Sequence, residues 1–306
     1  MFTSCCPGWV NYAEKNYHDL LPNLSTTKSP QQMQGAITKT YWAEQLGIDP
    51  AKVCSVSVMP CTSKNHEAQQ DETMKSSGYS DVDISITTRE FVRMIRQAGI
   101  NFRDLEESEA DNPLGQYSGA GTIFGATGGV MAAVRSAFYF AIGNELADIN
   151  LTPVRGLDDV KSIEVEVAGK KLRLGVVHQL SNVDKVVQEI RNAIATGQEP
   201  PYHFIEVMAC RVGCVSDGGQ PYGSNDEIRA KRAAGLYRDD ENSEVRMSHK
   251  NPQIVRLYDT YLKKPSGEKA RHLLHTHYTK RRLYNYEVDN QHCWRARILP
   301  SLFSHK

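Results

Sequence analysis

The sequence carries no surplus of charge: its 36 Lys and Arg balance 36 Asp and Glu. A global field that would gather nucleic acid or an anionic membrane is therefore excluded. No apolar run is long enough for a bilayer, since Ala132–Ile142 is too short and too interrupted. The opening Met1-Phe-Thr-Ser-Cys has neither a basic n-region nor an apolar h-region, so no secretory signal is visible. Seven cysteines among 306 residues are too few for a disulfide scaffold. Without an export signal they read as reduced thiols, some structural and some metal-binding or reactive. With 40% hydrophobic and 24% charged residues, the composition suits a soluble chain of one large domain or two ordinary ones.

What is present is organised around Val207-Met-Ala-Cys210-Arg-Val-Gly-Cys214-Val-Ser-Asp-Gly-Gly-Gln-Pro221. Two cysteines four positions apart follow an apolar run and precede a glycine pair, which lets backbone approach a bulky group. Phe204–Met208 predicts a strand that delivers Cys210 to the loop beyond it. Val53–Met59 alternates with a period of two and predicts a second strand, running into Pro60-Cys61, with Cys54 packed in the core. A cysteine just past a strand end lies where α/β proteins place ligands. The shared order, strand then Met-Pro-Cys or Met-Ala-Cys, predicts an α/β fold. Two lobes of mixed or parallel sheet would be flanked by helices, with the site between them.

Cys5-Cys6-Pro7-Gly8-Trp9 opens a predicted helix to about Tyr17, with Pro7 in the first turn and Cys6 at the N-cap. The helix dipole there eases ionisation of a thiol. Adjacent cysteines cannot point the same way, so the two divide their labour. Further helices are predicted over Met33–Leu46, Thr88–Ala98 (capped by Thr87 or Thr88) and Asn182–Ala195. Asp81–Ile86 reads as a strand, and Ile163–Val167 with Lys171–Val177 as a hairpin. The glycine-rich Ser118–Gly129 leads into a helix through Ile142; its spacing fits no phosphate-binding fingerprint, and close backbone packing is the alternative to an anion cradle. From Asn225 the segments Asn225–Tyr237, Pro252–Leu262 and Gly267–His275 predict a helical appendage. His249, His275 and His277 read as packed or solvated side chains, and Asn290–Lys306 with Cys293 shows no pattern.

Four thiols stand at loops or helix caps: Cys6, Cys61, Cys210 and Cys214. Four thiolates from three separated segments are what a 4Fe–4S cluster requires. Zinc also accepts four sulfurs, although structural zinc sites usually use close CxxC-type pairs, and this chain has none.

Three stretches carry a family resemblance. Thr3-Ser-Cys-Cys-Pro-Gly-Trp9, Met59-Pro-Cys-Thr-Ser-Lys-Asn-His-Glu67 and Glu206-Val-Met-Ala-Cys-Arg-Val-Gly-Cys-Val-Ser-Asp-Gly-Gly-Gln-Pro221 resemble TSCCPxW, MPCxxKxxE and ExMACxxGCxxGGGQP. These are the three signatures of the iron-only (FeFe) hydrogenases, in the same order. Arg229–Tyr278 also resembles the small-subunit region of that family.

The resemblance implies an H-cluster, in which a 4Fe–4S cubane is bridged by cysteine to a diiron subsite bearing carbon monoxide, cyanide and a dithiolate. Cys6, Cys61, Cys210 and Cys214 would hold the cubane, Cys214 bridging to the diiron subsite. Cys5 would relay protons, with Ser25 as the next hydroxyl of the path. Lys64 would hydrogen-bond a cyanide. Met59, Pro60, Phe124, Gly125 and Met208 would wall the diiron pocket, with Glu67 and Gln31 near it. The implied reaction is 2H⁺ + 2e⁻ ⇌ H₂, with electrons from ferredoxin or another low-potential carrier, in the cytoplasm or an organelle such as the hydrogenosome. Residues 1–224 would form the catalytic domain, 225–282 the small-subunit-like helical region and 283–306 an unpatterned tail. Neither a nucleic-acid partner nor a membrane span is implied. The alternative is a non-catalytic iron–sulfur protein, either a cytosolic assembly relative or a fragment holding only a 4Fe–4S cluster.

Three departures qualify the resemblance. The part of the family's catalytic domain that precedes the first signature has no counterpart ahead of Thr3, which implies an N-terminally truncated chain. The accessory electron-relay clusters have no counterpart either. Val212, Ser216 and Asp217 stand where the family usually has glycine, asparagine and glycine. An aspartate beside an anionic cluster is unfavourable unless it points away, and it would strain a turn built for glycine.

Overall fold

The computed structural model describes residues 1–70, 72–108, 111, 114–131, 136, 139, 143, 154–167 and 169–283. The predicted helix through Ile142, Cys293 and the unpatterned tail beyond residue 283 lie outside them, wholly or in greater part.

Among the described residues two sheets carry the site. One pairs β1 (Val56–Met59) with β2 (Ile84–Thr87) in parallel, Val56 opposite Ile84 and Met59 opposite Thr87. The other has the order β3 (Val160–Val167), β4 (Lys170–His178), β5 (Phe204–Met208). β3 and β4 form the antiparallel hairpin read from the sequence, and β5 joins β4 in parallel. The first predicted strand is shorter than Val53–Met59, so Cys54 precedes it. Cys54 is exposed rather than packed in a core. It shares the odd-even phase of Val56 and Val58, which are also exposed, and that phase puts all three on the outward face.

The N-terminal residues extend the larger sheet. Thr3 N–H donates to the Ile205 carbonyl at 3.0 Å, Ile205 N–H to the Met1 carbonyl at 2.9 Å, and Thr3 Oγ1 accepts from Val207 N–H at 3.0 Å. Chain start and β5 thus run side by side, which brings Cys5 and Cys6 alongside the end of β5.

α1 (Pro7–Asn16) begins with Pro7 in its first turn and Cys6 as N-cap residue, as the sequence predicts. Its Trp9 and Ala13 pack with Phe2, Val183, Val187, Ile205 and Val207 in one core. Met131, Val154, Val165, Leu174 and Val176 form another cluster. α2 (Pro30–Ile37) continues through a π-helical turn, Thr38–Trp42, into Ala43–Leu46. α3 (Lys64–Ala68) follows the β1 loop, and α4 (Thr88–Gln97) follows β2 behind a capping box of Thr87 and Glu90. α5 spans Leu180–Ala195.

The helical region comprises α6 (Asp226–Asn242), α7 (Pro252–Leu257), continued by π-helical Tyr258–Leu262, and α8 (Glu268–Leu274). It shares cores with the rest: Leu257, Leu262, Ala270 and Leu273 cluster with Ile37, and Ala233 clusters with Ala126, Val212 and Val215. Among the described residues no helix is long and apolar enough to cross a membrane.

Candidate metal centre

Backbone pairing explains how distant cysteines meet. Because the chain start tracks β5, Ala209 N–H reaches Cys6 Sγ at 3.4 Å. The loop from Cys214 is tied to the Cys61 loop by Gly219 N–H, which donates to the Pro60 carbonyl at 2.7 Å. A Cβ on Gly219 would lie 2.5 Å from that carbonyl oxygen, so the approach needs glycine.

The four thiols feel one another. Burial is the largest cause raising the pKa of Cys210, and Asp217, Cys6, Cys214 and Cys61 raise it further. Burial likewise raises Cys61, with Asp217 and Cys214 adding to it. Cys214 is pushed up to about 12 by burial first, then by Cys6, Asp217 and Cys5, while Lys64 pulls it down. Among the described residues no three His, Cys, Asp or Glu side chains converge on a single metal ion. Four thiols from three separated segments suit a cubane, which would take one thiolate at each of four irons and supply the cationic charge that lets buried thiols ionise.

Beside them lies a buried polar network. Glu67 Oε2 accepts from Ser29 Oγ at 2.7 Å, Gln31 Nε2 at 2.7 Å and Lys64 Nζ at 3.0 Å. Gln31 also donates to the Lys64 carbonyl, and its Oε1 accepts from Ser57 Oγ at 2.8 Å. Lys64 Nζ donates to the Cys5 carbonyl at 2.9 Å. Burial opposes the charge on Lys64, but Glu67, Cys5 and Cys6 outweigh it, so its pKa is raised and the ammonium persists.

Cys5, to which the resemblance gives the proton relay, sits where its thiol is hard to ionise. Burial, Cys6, Glu206 and Glu67 outweigh the pull of Lys64 and push Cys5 up to about 12. The thiol therefore holds its proton. Ser25 Oγ donates to Thr27 Oγ1 at 3.2 Å, and its carbonyl accepts from Tyr278 Oη at 2.6 Å.

Met59 and Met208 end their strands, with Pro60 following Met59. Phe124 and Gly125 lie in a 3₁₀ turn, Ile123–Gly125, beneath α6; a Cβ on Gly125 would meet Leu236 at 2.9 Å.

The departures have visible consequences. Val212 adopts φ +62°, a conformation that β-branched residues avoid and glycine accepts. Its side chain is nonetheless buried, against Ala126 and Val215. Asp217 has an ordinary extended backbone, φ −66° and ψ 160°, so no strain arises there. Its carboxylate does not point away: it accepts from Gly218 N–H at 2.5 Å and raises the pKa of Cys61, Cys210 and Cys214.

Sequence reasoning missed Glu206, which is fully buried. Its carboxylate accepts from Gly128 N–H at 2.8 Å and Met131 N–H at 3.0 Å, clamping the glycine-rich loop to β5. Burial pushes it up to about 7, against those two bonds and Lys161. The signal was a lone acidic residue inside an otherwise apolar strand.

The segment that carries these cysteines and the helical region after it both match known families. Residues 1–219 match the family described as iron only hydrogenase large subunit, C-terminal domain, and residues 226–281 the iron hydrogenase small subunit. Iron hydrogenase 1 of Clostridium pasteurianum is 48% identical over 286 residues, 92% of this chain and 49% of that protein. The periplasmic [Fe] hydrogenase large subunit of Nitratidesulfovibrio vulgaris is 46% identical over 221 residues, 72% of this chain and 51% of that one. A cytosolic Fe-S cluster assembly factor of Danio rerio is 31% identical over 288 residues, 91% of this chain and 68% of that protein. The chain thus spans about half the length of the two hydrogenases. A solved [FeFe]-hydrogenase HydA1 from Chlamydomonas reinhardtii, variant C377H, superposes with TM-score 0.77 at 41% identity, covering 92% of this chain and 76% of that one.

Proposed function

Because the chain belongs to the iron-only hydrogenase family, we propose that it catalyses 2H⁺ + 2e⁻ ⇌ H₂ at an H-cluster, with electrons from ferredoxin or another low-potential carrier. The observation that supports this best is that Cys6, Cys61 and Cys214 all act on the Cys210 thiol, while Cys5, Cys6 and Lys64 act on Cys214. When bound, the diiron subsite with its carbon monoxide, cyanide and dithiolate ligands supplies the proton–electron chemistry.

The protein's own groups do the rest. Cys6, Cys61, Cys210 and Cys214 would hold the cubane, Cys214 serving the diiron subsite as well. Cys5 keeps a proton on Sγ in a buried setting and serves as the terminal donor and acceptor. Lys64 stays charged and is held in place by Glu67 and the Cys5 carbonyl, ready to donate to an anionic ligand. Gln31 and Ser29 fix Glu67. Met59, Pro60, Phe124, Gly125 and Met208 exclude water from the pocket. Ser25 continues the proton path through Thr27.

Anaerobic reconstitution tests the cubane part of this reading. The chain should take up four irons and four sulfides, and Cys61→Ser or Cys210→Ser should lose that content. After maturation, hydrogen evolution with reduced methyl viologen tests the activity. A chain that holds the cubane but evolves nothing after maturation would fit the non-catalytic alternative.

A further inference from the structure

A cleft of about 590 Å³ opens directly outside the loop that carries Cys61. Thr62 lines it together with Pro221, Tyr222 and Arg89, Arg93 and Arg96 of α4. Spacings of four and three residues put the three guanidinium groups on one stripe of the helix. The chain's formal charge is zero, so this positive stripe is local and does not reflect an overall excess. The acidic residue in the lining, Glu90, is engaged by the Thr87 N–H at 2.7 Å and hydroxyl at 2.8 Å.

The cleft also has an apolar, aromatic part. Tyr222 is 86% exposed, and Arg89 lies 4.2 Å from its ring centroid. Arg89 is itself placed by the Gln220 carbonyl at 2.8 Å. Val92 is exposed too, and α4 buries none of its ten residues. Arginine and tyrosine around a small apolar centre are the composition of protein–protein contact surfaces. A small, charge-steered contact of this kind suits a transient electron-transfer encounter.

We propose that this cleft is the docking face for an acidic electron-carrier protein, whose carboxylates meet Arg93 and Arg96 while its redox centre is brought beside Thr62 and Cys61. The inference rests on the reading above that Cys61 holds a cluster. Each encounter moves one electron: the carrier is oxidised by one electron, the cluster is reduced by one, and no covalent bond forms or breaks. Arg89, which shapes the site loop through Gln220, is a positioning residue, and Arg93 and Arg96 are the steering charges.

The test uses the full chain with its cluster reconstituted, and an acidic [4Fe–4S] ferredoxin, photochemically reduced, as the probe. Stopped-flow absorbance reads the rate at which the cluster is reduced. For the wild type the rate should fall steeply as salt is raised, and Arg93→Glu/Arg96→Glu should lower the low-salt rate by about tenfold or more. The variant's rate should also lose its salt dependence. Direct photoreduction without ferredoxin, and the electron paramagnetic resonance spectrum of the reduced cluster, should be unchanged. Should the double charge reversal fail to hold its cluster, Arg93→Gln/Arg96→Gln replaces it, with an intermediate fall expected. A variant that accepts electrons from ferredoxin at the wild-type rate, or a wild-type rate indifferent to salt, overturns the docking face and leaves the cluster assignment standing. A wild-type chain that assembles no 4Fe–4S cluster removes the underlying reading, and the inference with it.

Discussion

Lys64 Nζ sits 2.9 Å from the carbonyl oxygen of Cys5 and 3.0 Å from Glu67 Oε2. One cation therefore ties the loop after β1 to the chain start, across a buried interface. Two of the three Lys64 N–H donors are used in these bonds, and the proposed cofactor contact would take the third.

Removing that cation should be costly. Lys64→Met leaves the buried Glu67 without its counter-charge, and should destabilise the chain by about 3–5 kcal/mol. Urea unfolding of the apo chain at pH 7 measures this. The double variant Lys64→Met/Glu67→Gln should recover part of the loss. A single variant as stable as the wild type contradicts the network described.

Cys5→Ala should leave iron and sulfide content intact and cut turnover by at least about a hundredfold, within the range of a lost proton-transfer group. The raised Cys5 pKa makes this a test of a proton-carrying thiol, not of a resident thiolate. Activity equal to the wild type would remove the relay assignment.

Asp217 places a negative charge where Cys61, Cys210 and Cys214, the proposed cubane ligands, feel it. A nearby negative charge opposes addition of an electron. Asp217→Asn should therefore raise the cubane midpoint potential by tens of millivolts, where roughly 59 mV is tenfold for one electron. A redox titration followed by electron paramagnetic resonance reads the shift; an unchanged or lower potential contradicts the contact.

Glu206 predicts a pH signature. Its folded pKa, about 7, stands above its ordinary 4.5 because of burial. A raised carboxyl favours the folded state fully below pH 4.5, and that contribution is lost as pH rises through about 7. The stability difference between wild type and Glu206→Gln should shrink over that window in urea unfolding. A difference that grows with pH would reverse the sign argued here.

Much of this was legible because chemistry and local geometry coincided. Pro7 set the start of α1 and so the placing of Cys6; Thr87 and Glu90 announced the cap of α4; and β5 matched its predicted bounds, Phe204–Met208. What escaped was tertiary. Cys54 looked like a core residue because alternation fixes phase but not which face is covered. The pKa of Cys5 depends on burial, which no spacing reports. The pairing of Met1–Thr3 with β5, which delivers Cys5 and Cys6, is a contact across some 200 residues and leaves no local signal. Asp217 reads from the sequence as both electrostatically unfavourable and strained; the electrostatic effect is there, but the backbone is relaxed.

The central claim is that these thiols hold a cubane bridged to a diiron subsite. Infrared spectroscopy of the anaerobically matured chain tests it most directly, in the region where metal-bound carbon monoxide and cyanide absorb. The account predicts bands from both ligands, lost in Cys214→Ala. A matured chain with full cubane iron and no such bands would contradict it.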